Sequence, residues 1–170
     1  MNIRKISTLA LFAALSLIIY SVEYLLPPLI PIPGIKLGLA NIITLVILVA
    51  YSYRAALLVL FVRILLSALL FGQAMSLLYS IAGGLCCFLI MCGIHSLLQE
   101  RFLFLTSAFG AIAHNIGQLL IAYLLTHVAG VLSYLPFLLL SGAITVLFTG
   151  LCARFTLQKL LPAAAHLPFY

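Results

Sequence analysis

Residues 55–71 read AALLVLFVRILLSALLF, and the run is closed by Gly72-Gln73. Only Arg63 and Ser67 interrupt its apolar character. A helix needs about 20 mainly apolar residues to cross the hydrocarbon core of a bilayer. A barrel strand would instead alternate over about ten residues. The unbroken run therefore predicts a transmembrane helix. Runs of the same kind lie on either side. Span one covers about 6–26 and is stopped by Pro27-Pro28. Span two covers about 36–51 and is entered through Pro31, Pro33 and Gly34. Spans four, five and six cover about 74–95, 105–128 and 134–155. The first run is too long, and lacks a small-residue cleavage site before Pro27, to be a cleaved signal peptide. The expected fold is all-α: a polytopic membrane protein of six transmembrane helices, forming a single integral membrane domain over 1–170.

Composition supports the same class. Of 170 residues, 66% are hydrophobic and 6% are charged, whereas a soluble domain carries about a quarter charged residues. Mean hydropathy is +1.38. Eight Lys/Arg face two acids, Glu23 and Glu100, with no Asp. That scarcity removes several chemistries. There is no GxxxxGK[ST] loop and no Asp to hold magnesium, so nucleotide hydrolysis is not expected. Prenyl-diphosphate synthesis needs several carboxylates to hold magnesium against a diphosphate, and a Ser/His/Asp arrangement needs an Asp. Cys86, Cys87, Cys92 and Cys152 form no C-x-x-C pair and match no zinc spacing, so they read as packing residues. His95, His127 and His166 are isolated near span ends or in the tail. The chain is expected to be no enzyme, with no catalytic residue, cofactor or metal site.

The bases also orient the chain. With a cytoplasmic N-terminus, Arg4, Lys5, Arg54, Arg101, Arg154 and Lys159 all fall on the cytoplasmic side and only Lys36 falls outside. The expectation is a multi-pass cell-membrane protein with both termini cytoplasmic. The pI of 9.4 follows from that asymmetry and needs no nucleic-acid partner. Segment 27–37, PPLIPIPGIKL, is the one long outer connection. Its prolines favour extended backbone, so it is either a stiff flap at the outer surface or an ordinary loop whose prolines only break the helix.

Polar groups inside a membrane are costly and each needs a reason. Arg63 sits mid-span, where it is either an anion or ligand contact or a structural partner for Glu23 or for helix-end carbonyls. Glu23 shares a face with Ser16 and Tyr20, and it either binds a cationic or hydroxyl group or neutralises Arg63 or Lys36. His114 and Gln118 lie at i, i+4 with Asn115 about 100° round the helix. Three such residues in one span read as a pocket wall rather than as helix packing alone. Asn41 follows Lys36 closely and is either a packing residue or part of the same wall. Tyr79 and Ser80 lie beside Gly83 and Gly84 and are possible pocket edges. Glu23, Lys36, Asn41, Arg63, Tyr79, His114, Asn115 and Gln118 are thus the candidate ligand-binding residues. They are expected to converge on a cavity in the outer half, roofed by 27–37, with more positive than negative groups. That balance suits a small anionic or polar-headed ligand. Ala10 and Ala14 form an A-x-x-x-A stripe pointing away from the Ser16/Tyr20/Glu23 face, which can dock another membrane protein or simply pack against a neighbouring helix.

The segments PIPGIKLGLANIITLVIL at 31–48, LYSIAGGL at 78–85 and GAIAHNIGQLLIA at 110–122, with Arg63 between the first two, resemble the Gx transporter family. That family is often labelled heptaprenyl diphosphate synthase component I and is similar to the substrate-binding S-components of energy-coupling factor (ECF) transporters. The resemblance covers nearly the whole chain. It implies an S-component-like bundle with an outward-facing site capped by the first outer connection. It also implies a transmembrane coupling subunit docked on Ala10 and Ala14, with two cytoplasmic ATPases driving reorientation. The synthase label conflicts with the missing carboxylates. If it reflects gene neighbourhood, the ligand is a quinone or isoprenoid precursor. The alternative is a non-transport membrane subunit of a quinone-linked redox or isoprenoid/quinone-synthesis complex.

Overall fold

The computed structural model describes residues 3–25, 35–71, 74–98 and 103–164, with backbone alone at 141, 144, 145, 147, 148, 154 and 157–164. The flap expected at 27–37 therefore lies outside the described residues except for 35–37. Among the described residues six α-helices follow in order: α1 Ile3–Leu25, α2 Asn41–Ala50, α3 Tyr53–Phe71, α4 Ala74–Leu98, α5 Leu103–Thr126 and α6 Leu135–Ala164. A 3-10 turn, Ala129–Tyr134, leads into α6. Among the described residues α1, α3, α4 and α5 are long and apolar enough to cross a membrane. With these spans and its lipid-like surface, the chain is an all-helical membrane protein.

The helices turn their small and polar residues inward. α1 buries Leu9, Ala13, Ser16, Tyr20 and Glu23, a single stripe at helical spacing. Its other face exposes Leu11, Leu15, Ile18, Val22 and Leu25. Large apolar side chains on the outside and polar ones inside are the arrangement that a hydrocarbon solvent favours. α4 and α5 approach closely through glycine. A Cβ on Gly117 would stand 2.8 Å from the Ala82 carbonyl oxygen, and one on Gly110 would strike Met91.

Side-chain contacts fix the helix directions. Phe12 meets Tyr51 and Tyr24 meets Phe71, so α1 runs alongside α3 in the same direction. Gly110 faces Met91 while Gly117 faces Ala82, so α4 and α5 are antiparallel. Asn115 meets Leu138 while Ser107 meets Thr149, so α5 and α6 are antiparallel as well. α1, α3 and α5 thus run one way and α4 and α6 the other.

The second span is corrected. A helix was expected over 36–51, and the helix is Asn41–Ala50. At 1.5 Å per residue it is about 15 Å long, half the hydrocarbon thickness. All ten residues are buried, and α2 packs against the other five helices at the bundle's centre. The reason it starts late is local. Gly38 has φ +78°, a left-handed conformation that ends any helical continuation from Lys36 and that a side chain other than glycine adopts at a cost. Residues 35–38 are extended and 39–40 form the turn that enters α2.

Candidate functional site

Glu23 is the hinge of the arrangement. It is buried, and its carboxylate accepts the Gly38 N–H at 2.7 Å and the Leu39 N–H at 3.1 Å. The left-handed turn at Gly38 presents both N–H groups to one carboxylate. The carboxylate's negative charge also lies just ahead of the N-terminus of α2, where the helix dipole favours it. Gly38 is held tightly as well, because a Cβ there would stand 2.7 Å from His114 Cδ2 and 2.8 Å from Asn41 Nδ2. The approach of α5 to this turn thus requires glycine.

Arg63, 3% exposed, donates from Nη2 to Asn41 Oδ1 at 3.3 Å. Its Nε is buried and has no hydrogen-bond partner. Direct pairing with Glu23, one of the roles weighed for Arg63, is not what the structure contains. The carboxylate spends its oxygens on backbone N–H groups and acts on Arg63 and Lys36 through space. Lys36 places its ammonium over the Tyr20 ring, 3.5 Å from the centroid, and 4.6 Å from the Tyr24 centroid. The ring faces attract the cation, and Nζ, out of contact with solvent, makes no hydrogen bond of good geometry, although the Tyr20 hydroxyl is beside it. Tyr20 gives its hydroxyl to a 2.9 Å contact with Ser76 Oγ, which ties α1 to the start of α4.

α5 closes the group from the other side. The Lys36 N–H donates to Gln118 Oε1 at 3.4 Å, and Gln118 Nε2 lies 3.0 Å from His114 Nε2. With its oxygen turned to Lys36, the Gln118 amide nitrogen is the donor, so His114 Nε2 accepts and the ring is neutral with its proton on Nδ1. Gly83 makes room for that ring, since a Cβ there would stand 2.7 Å from Nδ1. His114 Nδ1 makes no hydrogen bond of good geometry, although the Gly83 backbone is beside it.

Six of the eight expected residues thus meet: Glu23, Lys36, Asn41, Arg63, His114 and Gln118. Asn115 turns the other way and donates to the Leu138 carbonyl at 2.7 Å, against Gly142. It belongs to the α5–α6 seam. Tyr79 is buried on α4, and no hydrogen bond among the described residues ties it to the cluster. Sequence reading left out Gly38 and Tyr24. The signal for Tyr24 was its place one residue after Glu23 and four after Tyr20. For Gly38 it was a glycine just ahead of a helix rich in β-branched residues. The cluster lies toward the end of the bundle where α1 and α3 finish, next to Phe71 and Ser76. Ala10 and Ala14 are exposed on α1, away from it.

The family model for heptaprenyl diphosphate synthase component I matches residues 12–156. The chain belongs to this family. The match takes in every helix that builds the cluster. No curated protein and no solved structure matches the chain. Membership makes it a membrane-associated subunit of a family named for an enzyme complex.

Proposed function

We propose that this chain is the substrate-binding membrane subunit, S-component-like, of an ECF-type uptake transporter, and that it takes a small anionic or polar-headed ligand from the outside. One observation carries the reading: buried Arg63 and half-buried Lys36, whose ammonium is out of contact with solvent, keep N–H donors without a well-formed hydrogen bond beside a single carboxylate already engaged by backbone. A buried donor left unpaired costs about 1–3 kcal/mol, and more when charged. A bound anion recovers that cost. Ligand residues under this reading are Glu23, Lys36, Asn41, Arg63, His114 and Gln118, with Tyr20 and Tyr24 holding Lys36.

The topology supports the reading. α1, α3 and α5 run in one direction and finish at the cluster's end of the bundle. Arg4, Lys5, Arg54, Arg101, Arg154 and Lys159 belong to the opposite end in sequence order, which the positive-inside rule makes cytoplasmic. Six crossings, with both termini in the cytoplasm and the site in the outer half, follow from that assignment. α2 with its extended lead-in from 35 supplies the return between α1 and α3. The exposed Ala10/Ala14 stripe is the docking face for the coupling subunit, which two cytoplasmic ATPases drive. The chain itself performs no catalysis.

A tagged chain extracted from its own membranes in mild detergent tests this. Co-purification of a second membrane subunit with two ATPases is the expected outcome. A prenyltransferase or redox enzyme in their place supports the other reading, a non-transport membrane subunit of a quinone-linked redox or isoprenoid/quinone-synthesis complex. The family's description, a component of a heptaprenyl diphosphate synthase, favours that second reading. Recovery of the chain alone would count against both.

A further inference from the structure

We infer that the buried cluster is built for a monoanion with an apolar body, a carboxylate, and not for a phosphate or diphosphate head group. The inference deepens the proposed binding role by naming the ligand class, and it rests on the same six residues. The charge balance of the site decides it. Lys36 and Arg63 are the cations and Glu23 is the anion, which leaves one positive charge uncompensated. His114 adds none, because its Nε2 accepts from the Gln118 amide. The remaining polar neighbours, Asn41, Gln118, Tyr20 and Ser76, are neutral. No other Asp, Glu, Lys or Arg lies in the sequence segments that form the cluster.

One negative charge closes this balance. A phosphate monoester carries about −1.5 to −2 at pH 7, and a diphosphate carries more. Either would leave excess negative charge in a buried site, and an uncompensated buried charge is strongly unfavourable. The chain has only two carboxylates in all, so it lacks the ligands by which a divalent cation would offset the excess. The donors match the lighter head group. Arg63 Nε has no hydrogen-bond partner, Lys36 Nζ has only the Tyr20 hydroxyl beside it and no hydrogen bond of good geometry, and both feel Glu23 through space. The side chains around the Lys36 ammonium are aromatic. Tyr20 and Tyr24 both stack near Phe71, with centroids 5.7 Å and 4.5 Å away. An apolar body packs against such rings, and a fully hydrophilic anion gains nothing from them.

Thermal melting of the full chain in a non-ionic detergent, with probes that each carry an apolar body and differ in head group, tests this. The probes are octanoate, benzoate, octyl phosphate and geranyl diphosphate at equal concentration. The expected result is a rise of roughly 3–6 °C at saturating octanoate or benzoate, larger than that given by either phosphorylated probe. Lys36→Met should abolish the rise, while Lys36→Arg, which keeps the charge, should retain at least about half of it. The inference is overturned if neither carboxylate raises the midpoint, if geranyl diphosphate raises it more, or if Lys36→Met responds as the parent does. Should Lys36→Met fail to fold, the order of the probes on the unaltered chain and the Lys36→Arg response still decide the matter. The failure of this inference is separable from that of the uptake reading. A chain that binds octanoate and purifies without ATPases keeps the first and loses the second, and a chain that brings ATPases but prefers geranyl diphosphate does the reverse.

Discussion

Along the α5–α6 seam, Ser107 and Thr149 meet hydroxyl to hydroxyl at 2.9 Å, and the Asn115 amide donates to the Leu138 carbonyl at 2.7 Å. Where α1, α2 and α3 meet, Arg63 is buried and Lys36 half-buried, and neither Arg63 Nε nor Lys36 Nζ makes a hydrogen bond of good geometry. Both regions bury polar side chains in an apolar bundle, and they use them differently. The seam consists of short neutral contacts between two helices, the means by which helices hold together where hydrocarbon supplies no hydrophobic drive, and what it leaves unpaired, Asn115 Oδ1, is neutral. The charged side combines a carboxylate fully engaged by backbone with two cations that are not. A buried hydroxyl pair needs only a neighbouring helix to explain it, whereas a surplus of buried charge with spare donors calls for a ligand.

The contrast can be broken by substitution. Arg63→Ala should have the largest effect. Removing one side of a buried charge contact costs about 2–5 kcal/mol, so octanoate affinity measured by calorimetry should fall by about 30-fold or more. Glu23→Gln should act next, chiefly on stability. Its amide nitrogen would face either the Gly38 or the Leu39 N–H, leaving a buried donor unpaired at about 1–3 kcal/mol, read as a lower melting midpoint. Gly38→Ala should cost a similar amount, because φ is +78° and the new methyl would press on His114. Ser107→Ala should be the smallest, about 0.6 kcal/mol, with octanoate affinity unchanged. If Ser107→Ala weakened binding as much as Arg63→Ala, the distinction between seam and site would be lost.

Much of this was legible in the sequence. Continuous apolar runs announced the helices, and α1, α3, α4 and α5 fall within a few residues of their expected bounds, because long hydrophobic periodicity leaves one structure available in lipid. The buried face of Ser16, Tyr20 and Glu23 followed from helical spacing alone. The convergence of Glu23, Lys36, Asn41, Arg63, His114 and Gln118 was readable because polar residues in membrane spans have few places to go. The helix of the second span is shorter than its apolar run because hydropathy does not register a backbone turn. IKLGLANIITLVIL is apolar throughout 35–48 apart from Lys36, Asn41 and Thr44, but Gly38 turns the chain ahead of Asn41. The partner of Asn115, the Leu138 carbonyl, was not legible, because spacing gives its angle to His114 but not which neighbour occupies that side. Tyr24 was missed because a cation over an aromatic ring depends on where the loop carries Lys36, which no local pattern encodes.

Native mass spectrometry of the full chain, purified from its own membranes in mild detergent beside Arg63→Ala, bears most directly on the claim that the buried cations form a ligand site. The expected result is a retained small molecule, one per chain, that carries a single carboxylate and is absent from the Arg63→Ala protein. A chain that never retains such a molecule, or an Arg63→Ala chain that retains it equally well, would contradict it.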